Sequence, residues 1–427
     1  SEQGNLITGS VNQIKNKIIY KGGTTMSMKK FTKKMLAIVA AGAMTMGLAM
    51  PAMAAEGTTA DTVNNAKEAY ISKTYNTEVG KAETFSFTAT QITDGNDVIH
   101  TAHAVTIPTI SFGTTDLGTT IKTAKINLVG TDFPEAGRYS YTVKESETAD
   151  PSVTETAYEK LIMSKAEYRM DVYVVEKTGG TLEIDKIIVN KTKGDKDGET
   201  TGKVDIGSDA KKNGFNFVNT YVQEAGTGTP DPDKPFTPDP DYKKYGALNV
   251  SKKVIQNVTD DQKSLPTEKF DFTAKFGFPA GTDANTLGGV KDKDGNGVTL
   301  DATGQCTFQL GNGENMKFTG LPVGTTITVT EAAKANYKGS AAVVINNVNK
   351  KSVAATKFNE DIKVWDEDAN AGYKLGQTKN TVDVTNKFNN VPTTGIIMNT
   401  LPYVLMVALC AVALFGFVAF KRKKVQK

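Results

Sequence analysis

Alternation of apolar and polar side chains is the dominant pattern along this chain. It is clearest in four stretches that are also rich in β-branched and aromatic residues, namely 85–90, 139–143, 168–175 and 325–330. Because successive side chains of a strand point to opposite faces, a period of two predicts half-buried β-strands. Turn-forming clusters of Gly, Asn and Asp, such as 194–198, separate the stretches. We therefore predict an all-β chain built from β-sandwiches.

A Pro- and Asp-rich segment divides the chain into two bodies. Residues 223–244 contain five prolines and two copies of Thr-Pro-Asp-Pro-Asp. Proline interrupts helices and strand ladders, and the acidic side chains repel one another, so this segment is predicted to be a semi-extended linker. The bodies, 55–222 and 245–390, are predicted to be tandem immunoglobulin-like β-sandwiches. They share a short repeat, Phe-Ser-Phe-Thr-Ala at 85–89 and Phe-Asp-Phe-Thr-Ala at 270–274.

The N-terminal residues are predicted to be an export signal behind a leader. Residues 26–54 combine a basic start, an apolar run and the closing triplet Ala52-Met53-Ala54. This order is typical of a secretory signal peptide, in which the peptidase accepts only small residues at the cleavage site. Residues 1–25 contain no Met. The triplet Lys21-Gly22-Gly23 is what results when a purine-rich ribosome-binding site is translated in frame. We interpret 1–25 as an untranslated leader.

The C-terminal residues 391–427 contain a pentapeptide, an apolar span and a basic end. The pentapeptide is Val391, Pro392, Thr393, Thr394 and Gly395, the apolar span is 401–420, and four basic residues follow. About 20 apolar residues suffice for a transmembrane helix, and the basic end is expected to stay in the cytoplasm.

Composition narrows the possible functions. The net charge of +3 comes from the basic leader, signal peptide and C-terminal end, so the exported part is acidic. An acidic surface argues against nucleic-acid binding. Two Cys and two His among 427 residues cannot build a Cys/His zinc cluster, and an EF-hand-like stretch at 292–297 has Thr303 where the final Glu belongs. We predict no cofactor and no metal.

Six polar residues occupy positions that the alternation assigns to the core. They repeat in the same order in both bodies, with Lys near the start, Glu midway and Asn in the last strand. Taken singly, such residues usually lie at strand ends or sheet edges. Three in one core would be very costly unless they contact one another. The predicted triads are Lys73, Glu145 and Asn219, and Lys252, Glu331 and Asn386.

Such a triad has a reaction available to it. Burial lowers the pKa of a Lys and raises that of a Glu, so the pair can exist as a neutral amine and a neutral acid. The amine can attack the Asn carboxamide carbon while the acid polarises the amide and relays protons. Ammonia leaves and an amide joins the two side chains.

Two motifs resemble those of a known family. The stretch 139–145 and the stretch 321–331 look like the glutamate box of Gram-positive pilin and collagen-adhesin B-type domains, and 215–221 resembles their closing asparagine strand. The exported chain is similar to two-domain backbone pilins of the streptococcal T-antigen type. The resemblance implies Lys73–Asn219 and Lys252–Asn386 isopeptide bonds, promoted by Glu145 and Glu331.

The C-terminal trio resembles the sorting signal of Gram-positive surface proteins. In that family a sortase cleaves between the residues that correspond to Thr394 and Gly395. An amine of the peptidoglycan precursor or of another pilin then takes the acyl group. For the acceptor lysine, the resemblance indicates Lys211 or Lys212, with Lys243 and Lys244 as a second choice.

These observations predict a structural subunit of a sortase-assembled pilus, secreted and covalently attached to the Gram-positive cell wall. The expected partners are sortase, the peptidoglycan precursor and further copies of the pilin, together with a possible host-surface ligand. The alternative is a monomeric wall-anchored adhesin that binds a host or matrix ligand. No nucleophile–base signature is present, so no enzymatic activity is expected beyond formation of the protein's own isopeptide bonds.

Overall fold

The computed structural model describes residues 66–231, 236–256 and 267–388. The predicted leader, signal peptide and sorting signal lie outside these residues. Within them strands dominate, and the described helices are α1 (Pro240–Tyr245) and a 3-10 turn (Gly130–Asp132). The all-β prediction is confirmed at this level. No helix within the described ranges is long and apolar enough to cross a membrane.

The first sheet pair, residues 70–223, contains eleven strands. They are β1 (Tyr70–Thr77), β2 (Glu83–Phe85), β3 (Phe87–Ile92), β4 (Ile110–Phe112), β5 (Gly118–Lys125), β6 (Gly137–Glu145), β7 (Glu159–Ile162), β8 (Glu167–Glu176), β9 (Leu182–Lys193), β10 (Gly202–Val204) and β11 (Asn216–Gln223). One sheet has the order β5-β1-β11-β7 and the other β10-β9-β8-β6-β3, while β2 and β4 form a separate ribbon.

The second sheet pair, residues 248–388, contains the remaining strands. They are β12 (Leu248–Gln256), β13 (Phe270–Gly277), β14 (Gln305–Leu310), β15 (Asn315–Phe318), β16 (Thr326–Glu331), β17 (Tyr337–Ile345), β18 (Val348–Asn349), β19 (Val353–Ala354), β20 (Ile362–Val364), β21 (Tyr373–Lys374) and β22 (Thr381–Phe388). One sheet has the order β15-β12-β22-β17-β18 and the other β14-β13-β16-β20, with β19 and β21 added to β17 and β16.

Each core lies between two facing sheets. In β13 and β16 every second side chain is buried, as the sequence pattern predicts. Aromatic contacts join the facing sheets, with the ring of Phe87 5.2 Å from Phe217 in the first pair and that of Phe270 4.8 Å from Tyr337 in the second. Such rings bury a large apolar area, so these contacts contribute strongly to stability.

The first and last strands of each sheet pair are neighbours. Strand β1 pairs with β11, and β12 with β22, in parallel, whereas the other pairings within the two sheet pairs are antiparallel. A parallel pair needs a long crossover connection. In each sheet pair, all the strands between the first and the last form that crossover connection. Residues far apart in sequence therefore lie side by side.

The Pro- and Asp-rich segment differs from the semi-extended linker predicted for it. Its start is buried, and Ala225 N donates to Leu321 O (2.9 Å) in the second sheet pair. Helix α1 begins after Asp239, which caps it, with Pro240 in the first turn. Proline is tolerated there because a backbone N–H at that position would have no partner within the helix. The prediction counted prolines without regard to position, and so missed the helix.

Candidate functional site

The first triad is buried in the first core. Lys73 on β1 and Asn219 on β11 are both fully buried, and Glu145 reaches them from the end of β6 in the facing sheet. Lys73 Nζ lies 2.6 Å from Glu145 Oε1, and Asn219 Nδ2 donates to the same oxygen (3.1 Å). One carboxylate oxygen therefore contacts both the amine and the amide nitrogen.

Strand register places the lysine and the asparagine together. Lys73 is paired with Phe217, and Asn219 with Tyr75, so the two residues are offset by two positions along adjacent parallel strands. Side chains two residues apart share a face. Lys73 and Asn219 thus project into the same core, toward the facing sheet.

The second triad repeats this arrangement. Lys252 on β12 is paired with Val384, and Asn386 on β22 with Val254, which is the same offset of two. Lys252 Nζ donates to Glu331 Oε1 (2.5 Å), and Asn386 Nδ2 donates to that oxygen (2.8 Å). All three side chains are buried.

Burial shifts the protonation of both ion pairs toward neutrality. It lowers the pKa of Lys73 to about 8 and that of Lys252 to about 8, although attraction to the neighbouring Glu acts in the opposite direction. Burial also raises the pKa of the Glu145 and Glu331 carboxyls. Transfer of one proton from each Lys to its Glu is therefore much less costly than in water.

Aromatic rings surround the amines. Lys73 Nζ lies 4.4 Å from the centre of the Phe85 ring, and Lys252 Nζ lies 3.9 Å from that of Phe270. A ring face attracts a cation but accepts no proton and admits no water. The rings therefore exclude water from the amines, and the Glu carboxylate remains as the proton acceptor.

The two asparagines differ in the partner of the carbonyl oxygen. Ser164 N donates to Asn219 Oδ1 (2.6 Å), just beyond the end of β7. Asn386 Oδ1 is buried and has no hydrogen-bond partner among the described residues. The reason is the neighbouring strand, because β17 continues past Asn386 as a regular ladder with Gly339 directly opposite it.

Each triad has the groups needed for amide formation between side chains. The Lys nitrogen is the nucleophile, the Asn carboxamide the electrophile, and the shared Glu oxygen lies within reach of the hydrogens on both nitrogens. The structure thus brings together all six residues proposed from the sequence. Among the described residues no group of three His, Cys, Asp or Glu could hold a metal ion.

The candidate acceptor lysines are on the surface. Lys211 and Lys212 lie in an exposed turn before β11, where Lys212 Nζ is 3.6 Å from Asp209. Lys243 and Lys244 are exposed on α1. All four are accessible, so their position does not select among them.

Two residues near the first triad were missed by sequence reasoning. Ser164 acts through its backbone N–H, which leaves no signature in a sequence. Asp195 Oδ1 accepts from Ser164 Oγ (2.5 Å), yet it lies in the cluster 194–198 that the sequence marks only as a turn. Conservation of an acidic residue in this turn among related proteins would have indicated its role. Conservation cannot be observed in a single sequence.

Comparison with known proteins gives one family match and a set of solved structures. Residues 246–388 match the family described as domain of unknown function DUF7601. Among curated proteins, none matches the chain. The chain is similar to the major pilin from Streptococcus pyogenes, with 18% identity over 76% of this chain and 99% of that one and a TM-score of 0.29.

Two further solved structures are similar over comparable lengths. The major pilin protein (T3.2) from Streptococcus pyogenes is 20% identical over 76% of this chain and 99% of that one, with a TM-score of 0.27. The pilus-presented adhesin Spy0125 (Cpa) is 10% identical over 75% of this chain and 99% of that one, with a TM-score of 0.22.

Proposed function

We propose that this chain is a structural subunit of a cell-surface pilus, stiffened in each immunoglobulin-like sandwich by a self-formed Lys–Asn isopeptide bond. The observation that carries the proposal is the doubled triad. In both cores a buried amine and a buried carboxamide, offset by two residues on the first and last strands, contact one oxygen of a buried Glu. Two unlinked ion pairs in two apolar cores would be costly, and bond formation removes that cost.

The position of the bonds suits a protein under tension. Each joins the strand by which the chain enters a sheet pair to the strand by which it leaves. A pulling force would then pass through the covalent bridge and bypass the sheets. The sorting pentapeptide 391–395, with sortase, the peptidoglycan precursor and further pilin copies as partners, completes this proposal with covalent assembly and wall attachment.

The intact mass of residues 55–394, produced in soluble form, tests the cross-links. We expect a deficit of two ammonia molecules. Lys73→Ala or Glu145→Ala should restore one, and Lys252→Ala or Glu331→Ala the other. A mass with no deficit would reject the isopeptide bonds.

Electrophoresis of wall extracts in sodium dodecyl sulfate tests the assembly. A ladder of covalent multimers that disappears on deletion of the sortase supports a pilus subunit. One discrete wall-linked band would instead support a singly anchored adhesin. Replacing Lys211 and Lys212 together by Arg should abolish the ladder if either accepts the next subunit.

A further inference from the structure

The two triads differ at one atom, and this difference has a chemical meaning. During attack by the Lys nitrogen, the Asn carboxamide oxygen gains negative charge. Asn219 Oδ1 already accepts a hydrogen bond from Ser164 N (2.6 Å), an N–H that also acts on the Glu145 carboxylate, whereas Asn386 Oδ1 has no partner within the described ranges. A fixed donor aimed at a developing oxyanion is among the strongest contributions to catalysis.

The carboxylate of Asp195 holds the chain that carries this donor. Its Oδ1 accepts from Ser164 Oγ (2.5 Å), Lys165 N (2.8 Å) and Ala166 N (3.1 Å). Three bonds to one oxygen fix the backbone immediately after β7, where no ladder partner would otherwise restrain it. Asp195 is itself restrained, because its own N–H donates to Glu199 Oε2 (2.7 Å).

We propose that Asp195 is a positioning residue for isopeptide formation in the first sheet pair, acting by holding the Ser164 N–H against Asn219 Oδ1. This inference rests on the proposed function, since it concerns the rate of the proposed bond. In this proposal the Ser164 N–H polarises the Asn219 carboxamide oxygen. Glu145 then transfers protons between the Lys73 nitrogen and the Asn219 nitrogen.

The reaction balances without any further reactant. The Lys73 nitrogen forms a bond to the Asn219 carboxamide carbon, and its electron pair displaces the bond between that carbon and Nδ2. The step starts from the neutral Lys73 amine and the protonated Glu145: the Glu145 proton passes to the departing amide nitrogen, the Lys nitrogen returns one proton to Glu145, and NH3 leaves. Glu145 ends as it began, and the oxygen bonded by Ser164 becomes the carbonyl of the new amide.

Among its described residues, the second sheet pair lacks this arrangement for a structural reason. Strand β17 runs alongside β22 as far as Tyr337 and Phe388, so its N–H groups near Asn386 belong to the ladder. In the first sheet pair β7 ends at Ile162, which frees the next residues to turn toward the amide. We therefore expect the Lys73–Asn219 bond to form faster than the Lys252–Asn386 bond.

The test is a time course on the full chain. It is made by cell-free synthesis in mild detergent and quenched at intervals, and each linked peptide is quantified by mass spectrometry after digestion. Asp195→Ala should slow the Lys73–Asn219 bond at least about tenfold, because removing one oxyanion donor from an enzyme costs about 10²–10³ in rate. The Lys252–Asn386 bond in the same molecules should form at the unchanged rate.

Two variants separate positioning from general damage. Asp195→Asn retains an acceptor oxygen and should restore most of the rate, whereas equal slowing by Asn and Ala would overturn the proposal. Asp301→Ala is a matched control, because Asp301 Oδ1 also accepts three bonds in a turn, from Thr303 N, Thr303 Oγ1 and Gln305 N. It should leave both rates unchanged.

If Asp195→Ala prevents folding of the first sheet pair, Ser164→Ala takes its place. That variant keeps the N–H and loses the hydroxyl contact with Asp195, so it should slow the first bond, and an unchanged rate would overturn the inference. Failure of both bonds in the unaltered chain would reject the proposed function. Two bonds that form normally, with the first independent of Asp195, would reject only this inference.

Discussion

Gly339 of β17 lies directly opposite Asn386 of β22, and a Cβ on Gly339 would come within 2.9 Å of Asn386 Oδ1. The same Cβ would lie 2.6 Å from the Ile362 side chain in the facing sheet. The absence of a side chain at this position therefore leaves room for the carboxamide of the second triad.

Gly339→Ala should hinder the second cross-link. The added methyl group displaces the Asn386 carboxamide from Glu331, so we expect the Lys252–Asn386 bond to form several-fold more slowly, or only in part. Peptide mapping of the two bonds measures this, and the Lys73–Asn219 bond is the internal standard. Ser340→Ala, one residue along the same strand, is the control, and an equal effect of both changes would contradict a specific role for Gly339.

Glu145→Gln and Glu331→Gln should each leave one sandwich folded but unlinked. Glutamine fills the same space but cannot relay the proton, so one ammonia is retained. Each bond closes a loop of about 140 residues, for which the chain-entropy model of cross-links gives about 5 kcal/mol of stabilisation.

Single-molecule pulling distinguishes the linked and unlinked forms. Unaltered protein should show no unfolding step from either sheet pair, whereas Glu331→Gln should release the chain between Lys252 and Asn386 in one step. Glu147→Gln, an exposed residue near Glu145, should behave as the unaltered protein. A full-length unfolding step in unaltered protein would mean that force does not cross a covalent bridge.

Glu83 should make the first sheet pair less stable at alkaline pH. Its side chain is 1% exposed, and neither carboxylate oxygen has a hydrogen-bond partner among the described residues. Burial, aided by Glu159 and Asp150 and opposed by Lys81, raises the pKa of Glu83 to about 7 from an ordinary 4.5. The folded state therefore holds this proton more tightly than the unfolded state does.

The sign of the effect follows from this linkage. Well below pH 4.5 both states are protonated and the folded state loses nothing, whereas stability falls as the pH rises from about 4.5 to about 7 and stays at the lower level above that. Glu83→Gln should thus raise the free energy of unfolding by about 1–3 kcal/mol at pH 8 and leave it unchanged at pH 4. Urea unfolding measures this, and Glu147→Gln should give no pH-dependent gain. A gain of equal size at both pH values would contradict the assignment.

Tyr242 should hold the two sheet pairs together. Its hydroxyl donates to the buried carboxylate of Glu224 (2.6 Å), which also accepts from Gly320 N (2.5 Å). Burial raises the pKa of Glu224. Tyr242→Phe removes one of these two hydrogen bonds. It should weaken the free energy of association between the two sheet pairs by about 1–3 kcal/mol.

Small-angle X-ray scattering measures the resulting change in the distances between the two sheet pairs. We expect a broader distribution of distances for Tyr242→Phe than for the unaltered protein. Tyr245→Phe changes the same group on the same helix without contact to Glu224 and is the control. Identical profiles for all three proteins would show that the Glu224 contact does not hold the joint.

The sequence predicted the strands and the six triad residues because both depend on a period of two. Lys73 and Lys252 stand out as charged residues on otherwise apolar faces, and such positions are visible without coordinates. The parallel pairing of β1 with β11 and of β12 with β22 was not predicted, because a Lys and an Asn can also meet across facing sheets, as Lys73 and Glu145 do.

Other features could not be read from one sequence. The Ser164 donor is a backbone group, and its direction depends on where β7 ends. Burial of Glu224 depends on contacts with Gly320, in the loop after β15, and with Tyr242 on α1, which come from different parts of the chain. The burial of Glu83 is not indicated by its sequence neighbours, because the residues that cover it are distant in the chain. Each of these properties depends on tertiary packing.

The parallel neighbours β1 and β11 also determine how an unlinked chain would respond to stretching. The polypeptide enters β1 at its first residue and leaves β11 at its last, so the two ends lie at opposite ends of the same strand pair. Stretching therefore slides the strands past each other and strains every ladder bond at once, rather than opening them one after another. Without the proposed cross-link, the first sheet pair would therefore still resist extension in this shear geometry.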